Sequence, residues 1–254
     1  MSGLHKCGSM MITGGSRGIG LHLVETLMKS SSRPRMVIAT ARDRSRAKEL
    51  NRLAESHPDL HIVTLDVTNK DDIEAAFKEV ESLVGDKGLN CLVNNAGILL
   101  RSTLNEVTAE EMMKNFEVNA VSPLMVTKAF LPLLRKAAKQ GTGMGIHRAA
   151  IVNVSSVLGS IQLSWGENTQ VKWYPYHVSK TALNMVTRCL SSDLLDDGIL
   201  CMSLSPGWVK TDMGGPQAVL TKEESINGIL KVISNLSEKD NGGFLSHTGE
   251  TLPW

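Results

Sequence analysis

Short apolar runs recur along this 254-residue chain, each followed by a longer amphipathic stretch, and that alternation restricts the chain to one kind of fold. The runs lie at 8–12, 36–40, 61–65, 89–93, 149–154 and 199–205. Helical periodicity occupies 18–30, 45–56, 70–84, 109–139 and 176–197 between and after them. Strands that alternate with helices build right-handed crossover units, and their parallel strands are buried on both faces. The pattern predicts an α/β chain with one doubly wound (Rossmann) domain: a parallel sheet of about seven strands with helices on both faces. No linker rich in Pro, Gly or Ser and no internal repeat divides it, so 1–254 reads as a single domain. Pro132 is expected to kink or divide the stretch 109–139. Residues 141–145, with three glycines, read as a loop.

Composition narrows the partners. Hydrophobic residues make up 42% and charged residues 21%, enough apolar side chain for a packed core. With 27 basic and 26 acidic residues the net charge is +1, so no global field attracts nucleic acid or anionic membrane. The one dense basic stretch is Arg33, Arg35, Arg42, Arg44 and Arg46. No apolar run reaches 18 residues, so no membrane insertion is expected, and residues 1–6 lack the apolar centre of a signal peptide. Cys7, Cys91, Cys189 and Cys201 form neither CxxC pairs nor His-matched spacings, which argues against a metal site. Free thiols in a reducing compartment, and a cytoplasmic location, are the expectation.

The first strand runs into Thr13-Gly14-Gly15-Ser16-Arg17-Gly18-Ile19-Gly20 and then a helix. A tight strand-to-helix turn needs residues without Cβ, a pyrophosphate needs close backbone approach, and a helix N-terminus offers N–H groups and a favourable dipole. The spacing is Gly-x3-Gly-x-Gly rather than GxGxxG, so on its own the cluster also fits a plain turn. After the second strand the chain reads Ala39-Thr40-Ala41-Arg42-Asp43. An acid there would bind a ribose 2′-hydroxyl, whereas an Arg accepts a 2′-phosphate. Ala41 stands where the acid is sought and Arg42 follows, with Arg17 in the glycine turn able to reach the same group. The two forked cations predict NADP(H), with Asp43, one position late, as the counter-evidence.

Tyr176 and Lys180 are four positions apart on a predicted helix and share one face. A phenol titrates too high for proton transfer at neutral pH, and a neighbouring cation favours its ionised form. The pair can therefore give a proton to a carbonyl oxygen or take one from an alcohol. A Lys four residues after a Tyr is a weak signal alone. It gains weight from strand 149–154, which ends in Ser155-Ser156, where ligands bind in open α/β sheets. Asn94-Asn95-Ala96-Gly97 and Ser205-Pro206-Gly207-Trp208-Val209-Lys210-Thr211 follow strands at the same edge.

These motifs, spanning 13–211, resemble those of the short-chain dehydrogenase/reductase family, and the sequence is most similar to its sniffer-like (C-factor-like) carbonyl reductases, which the ending 242–254 also resembles. The resemblance implies that Tyr176 is the general acid/base, that Lys180 lowers its pKa and holds the nicotinamide ribose, and that Ser156, rather than Ser155, orients the carbonyl. Asn119 would support a water relaying protons to Lys180. Gly14, Ser16, Arg17, Gly18, Ile19 and Gly20 would cradle the cofactor. Arg42, Asp66 and Val67 would meet its adenosine end, and Asn95, Ala96 and Gly97 would pass close to it. Pro206, Gly207, Val209 and Thr211 would border the nicotinamide and phosphates. A small carbonyl compound is the implied substrate, reduced with NADP(H), and a homodimer or homotetramer is the implied assembly. Ser156 and Tyr176 are 20 positions apart, longer than in the family's shorter members. The extra segment 164–173 is expected to cover the substrate pocket. Trp165 and Trp173, with Trp208 and Met213, either form an apolar wall or pack the segment onto the body. Substrate loops are expected near 99–103, 160–173 and 208–217.

Two other readings compete. Sugar epimerases and dehydratases share the Tyr and Lys spacing, but the 43 residues after Thr211 are too few for their added domain. A non-enzymatic NADP(H)-sensing or scaffolding protein on the same fold would be expected to lose Tyr, Lys or Ser, and here all three are present.

Overall fold

The computed structural model describes residues 3–165 and 172–254. Seven parallel strands form one sheet: β1 (Ser9–Ile12), β2 (Met36–Ala41), β3 (Leu60–Thr64), β4 (Cys91–Asn94), β5 (Ala150–Val154), β6 (Leu200–Ser205) and β7 (Phe244–Ser246). Their order is β3-β2-β1-β4-β5-β6-β7. The chain builds outward from β1 through β2 to β3, then returns to β4 on the other side of β1. Loops leaving β1 and β4 therefore diverge, and a crevice opens between them at the carboxyl ends.

Period-two patterning divides the core into two layers. Met10 and Ile12 face one layer with Val37, Val152 and Met202, while Met11 faces the other with Ile38, Leu92, Ile151 and Cys201. Helices cover both: α1 (Gly18–Lys29) and α7 (Lys222–Ser234) pack together on the first face, α3 (Lys70–Val84) and α5 (Ser122–Ala138) on the second. Helix α2 (Lys48–Glu55) follows β2, and α4 (Ala109–Phe116) packs against α6 (Tyr174–Asp193). Local chemistry sets the ends. Asn69 accepts from the N–H groups of Asp71 and Asp72 at the start of α3, and Thr108 with Glu111 and Thr221 with Glu224 form capping boxes on α4 and α7.

Two expectations need correction. Pro132 lies inside α5 without dividing it; the break in 109–139 is a π-helical turn, Glu117–Val121, joining α4 to α5. Four residues after Asn119 stands Pro123, which has no N–H to offer an α-helical bond, so the turn widens there. The six apolar runs also omit β7, three residues long, and α7, which the periodic segments did not include. Segment 164–173 lies largely at 166–171, outside the described residues.

One polar chain crosses the second layer. Asn94 Nδ2 donates to Asn153 Oδ1 (2.9 Å) and Thr127 Oγ1 (3.0 Å). Asn153 Nδ2 (2.9 Å) and Ser203 Oγ (2.8 Å) both donate to Thr187 Oγ1. It joins β4, β5 and β6 to α5 and α6 and holds the strand ends in register with the helices that carry the site. Buried polar groups are costly once a partner is lost. Thr187→Val, similar in volume, should therefore lower stability by about 3 kcal/mol, read as a shift in the urea unfolding midpoint at constant slope.

Candidate active site

Ser156, Tyr176 and Lys180 meet where β5 and α6 converge. Tyr176 lies in the first turn of α6, which starts at Tyr174 with Pro175 fitting its first turn. One turn on, Lys180 is only 5% exposed. Its Nζ donates to the Val154 carbonyl at the end of β5 (2.8 Å) and stands 5.7 Å from the Tyr176 ring centroid. Ser156 begins the short turn Val157–Gly159, and its hydroxyl accepts from Leu158 N–H (3.2 Å) and is hydrogen-bonded to the Tyr176 phenol.

Electrostatics run opposite to the expected lowering of the phenol. Burial pushes Tyr176 up to about 12, and the Ser156 hydrogen bond offsets only part of that. Burial pulls Lys180 down to about 8. At neutral pH the phenol is neutral and holds a proton to give, while the ammonium is charged.

Asn119, fully buried, sits in the π-helical turn. Its Oδ1 accepts from Ile98 N–H (2.9 Å), and its Nδ2 donates to the Ile98 carbonyl (2.9 Å) and to Ser179 Oγ (3.0 Å). Ser179 Oγ in turn donates to the Tyr176 carbonyl (2.8 Å). The side chain thus splints the segment after β4 to the first turn of α6. A Cβ at Gly97 would stand 3.1 Å from Asn119 Oδ1 and 3.7 Å from Lys180 Nζ, so that strip is bare backbone beside the ammonium.

The glycine turn lies at the same carboxyl edge. Gly14 (φ +68°) takes a conformation that side chains disfavour. A Cβ at Gly20 would run into the Gly14 carbonyl and the Asn95 side chain. Thr13 Oγ1 accepts from the N–H groups of both Asn95 and Ala96 (3.0 Å each), fixing the turn to the loop after β4. At α1 no side chain caps the N-terminus, and Gly18 (φ +56°) has open space where a Cβ would stand. Ser16 and Ile19 are half-buried around that opening. An uncapped helix end with a bare cradle fits a pyrophosphate. Arg17 and Arg42 are exposed beside it, and neither forms an ion pair among the described residues. Asp43, the counter-evidence to a 2′-phosphate, caps the next turn: its Oδ1 accepts from Ser45 N–H (2.9 Å) and Ser45 Oγ (2.6 Å). Burial pushes the Asp66 carboxyl up, but Thr68 hydrogen bonds and the charges of Arg42 and Lys114 outweigh it and hold it below the usual range. Val67 beside it is buried. Pro206 and Val209 are buried after β6, Gly207 has φ +78°, and Thr211 Oγ1 accepts from Gly214 N–H (3.1 Å).

Of the four apolar residues read as wall or packing, Trp165 is 83%, Trp208 51% and Met213 40% exposed, and Trp173 is half-buried. Sequence reasoning passed over Ser179, the Val154 carbonyl and Gly159. A Cβ at Gly159 would meet the Lys180 carbonyl carbon at 2.8 Å, and its own carbonyl accepts from Thr181 Oγ1 (3.0 Å) and Asn184 Nδ2 (3.1 Å). The glycine three residues after Ser156 was the available signal.

A glycine-lined helix N-terminus and a hydrogen-bonded phenol beside a buried ammonium, at the carboxyl edge of one parallel sheet, make up a Rossmann-type site. The chain belongs to the short chain dehydrogenase family, whose model matches residues 9–219. It is similar to the carbonyl reductase Sniffer of Drosophila melanogaster, 45% identical over 98% of this chain and 100% of that one, with a TM-score of 0.93. It is equally similar to the NADPH-bound carbonyl reductase from chicken fatty liver, 45% identical over 98% of this chain and 99% of that one, TM-score 0.93. The C-signal protein of Myxococcus xanthus is 40% identical over 65% of this chain and 93% of that protein.

Gly159→Val should push the Lys180 turn off β5. The expected outcome is a loss of about 2 kcal/mol in stability, read by thermal melting, together with reduced turnover under conditions where the protein remains folded.

Proposed function

We propose that this protein reduces an aldehyde or ketone to an alcohol in an NADPH-dependent reaction, with Tyr176 as the proton donor. The observation that carries the reading is the neutral, hydrogen-bonded phenol of Tyr176 one helical turn from a buried ammonium, at the same sheet edge as an uncapped, glycine-lined helix N-terminus. The similarity to two carbonyl reductases, one of them NADPH-bound, supports it.

NADPH supplies the hydride that the carbonyl carbon receives. Gly14, Ser16, Gly18, Ile19 and Gly20 bind its pyrophosphate through backbone N–H groups, and Arg17 and Arg42 take the 2′-phosphate. Asp66 and Val67 border the adenine, and Asn95 to Gly97, Pro206, Gly207, Val209 and Thr211 line the remainder. Ser156 donates a hydrogen bond to the substrate oxygen as negative charge develops, and Tyr176 delivers its phenolic proton to that oxygen. Lys180 then faces a phenolate, which its charge stabilises until solvent restores the proton. The Asn119 side chain is engaged by Ile98 and Ser179, so its main-chain carbonyl, denied a donor by Pro123, is the group that accepts from a relaying water. Trp165, Trp208 and Met213 give the mouth an apolar border suited to hydrophobic carbonyls. Among the described residues no helix is long and apolar enough to cross a membrane.

Tyr176→Phe should lower kcat for a broad aldehyde panel by roughly a thousandfold while NADPH still binds, as followed by its fluorescence; unchanged turnover would discard the role. Arg42→Ala should raise the KM for NADPH by about tenfold and leave kcat nearly constant. For a neutral aldehyde, kcat/KM should fall as pH rises through about 8, where Lys180 loses its charge. Lys180→Arg, if folded, should move that falling limb to higher pH because a guanidinium does not titrate there.

A further inference from the structure

Arg101 stands where three segments of the mouth converge. It follows β4 by a short loop, in the run from Ile98 that Asn119 holds in place. Its Nη2 donates to the Met213 carbonyl beyond β6 (2.7 Å), and its guanidinium carbon lies 5.3 Å from the centroid of the Trp173 ring. Trp173 is the residue before α6, one helical turn ahead of Tyr176, and the neighbouring Ser102 carbonyl accepts from Tyr174 N–H (3.1 Å). Both anchors are neutral: an aromatic face and a peptide carbonyl. Among the described residues no carboxylate pairs with Arg101. The acidic groups nearest in sequence are not its partners: Glu106 accepts from Thr103 N–H and Oγ1 (2.8 Å to the hydroxyl), and among the described residues Asp212 forms no ion pair. A guanidinium carries five N–H donors in a fixed plane, and one of them is engaged by Met213. The side chain is therefore held at the rim against Trp173, the residue that precedes Tyr176 by about one helical turn, and among the described residues its charge has no carboxylate partner.

We infer that Arg101 makes this site select carbonyl compounds that carry a carboxylate several bonds from the reacting carbonyl. The inference rests on the carbonyl-reductase reading above. A carboxylate fits the guanidinium fork in two parallel hydrogen bonds, and the stacked Trp173 orients the fork before substrate arrives. The apolar border of Trp208 and Met213 takes the connecting chain, and Tyr176 with Ser156 takes the carbonyl oxygen. Because Arg101 is exposed, the preference is moderate and screened by salt.

The test compares ω-oxononanoate with its methyl ester, which differ in charge and share the reacting aldehyde, by NADPH oxidation in the wild type and in Arg101→Gln. The expected wild-type ratio of kcat/KM, acid over ester, is about ten, falling as sodium chloride is raised. In Arg101→Gln the acid should lose about tenfold more than the ester, bringing the ratio near one, and Arg101→Lys should fall between. A wild-type ratio of one or less overturns the inference. So does an equal fall for acid and ester in Arg101→Gln, which is what a mere staple between loops would give. If no neutral aldehyde is reduced at all, the reductase reading fails. Acid binding to the NADPH-loaded protein, followed by fluorescence, then still decides for Arg101: weaker binding in Arg101→Gln sustains the inference, and equal binding discards it.

Discussion

A buried ammonium sets the terms for the rest of this site. Lys180 is almost wholly enclosed, and removing a charge from water is expensive unless it is hydrogen-bonded. One of its N–H groups is satisfied by the Val154 carbonyl, the last residue of β5. That bond requires α6 to approach the strand end closely, and the approach is possible because Gly159 presents no side chain to the Lys180 backbone. Tyr176 is then carried to Ser156 by the same helix, since one turn separates it from Lys180. The charge, the glycine and the strand end are mutually dependent, and Tyr176 inherits its position from them.

The opposite wall is positioned by a defect in a helix. Between α4 and α5 the turn Glu117–Val121 is wound more loosely than an α-helix, and Asn119 uses that turn to reach Ile98 and Ser179. The loop after β4 is thereby tied to the first turn of α6, and Thr13 ties the same loop to the glycine turn. The glycine turn and the Tyr176–Lys180 pair share one splinted loop, which extends to Arg101 at the rim. A rigid connection of this kind suits a reaction in which a hydride donor, a carbonyl carbon and a phenol must align.

Much of this was legible in the sequence. The apolar runs fall within a residue or two of six strands, because strands buried on both faces read as continuous apolar segments. The run Lys70–Val84 coincides with α3, whose Asn69 cap and acidic first turn are strong local signals. β7 was not located: three residues against the outer strand gain their stability from Leu204 and the tail that returns over them, where Trp254 stacks on Phe244. The division of 109–139 was assigned to Pro132, when the decisive proline was Pro123, which withholds an N–H from Asn119. Ser179 and Gly159 went unnoticed because their roles depend on partners 60 and 21 or more positions away.

Local properties, periodicity and residue chemistry, were enough to read the parallel α/β architecture, the glycine turn and the spacing that pairs Tyr176 with Lys180. How those residues behave depends on packing that no local signal contains. The Tyr176 phenol is pushed up rather than down because burial outweighs its hydrogen bond, and burial exists only once the sheet and helices have packed. The Asp43 carboxylate is engaged by Ser45 in the turn that follows, a contact that composition could not rank against a ribose. Arg101 acquires its place over Trp173 from three loops that are distant in the chain and adjacent only because the strands that feed them run parallel.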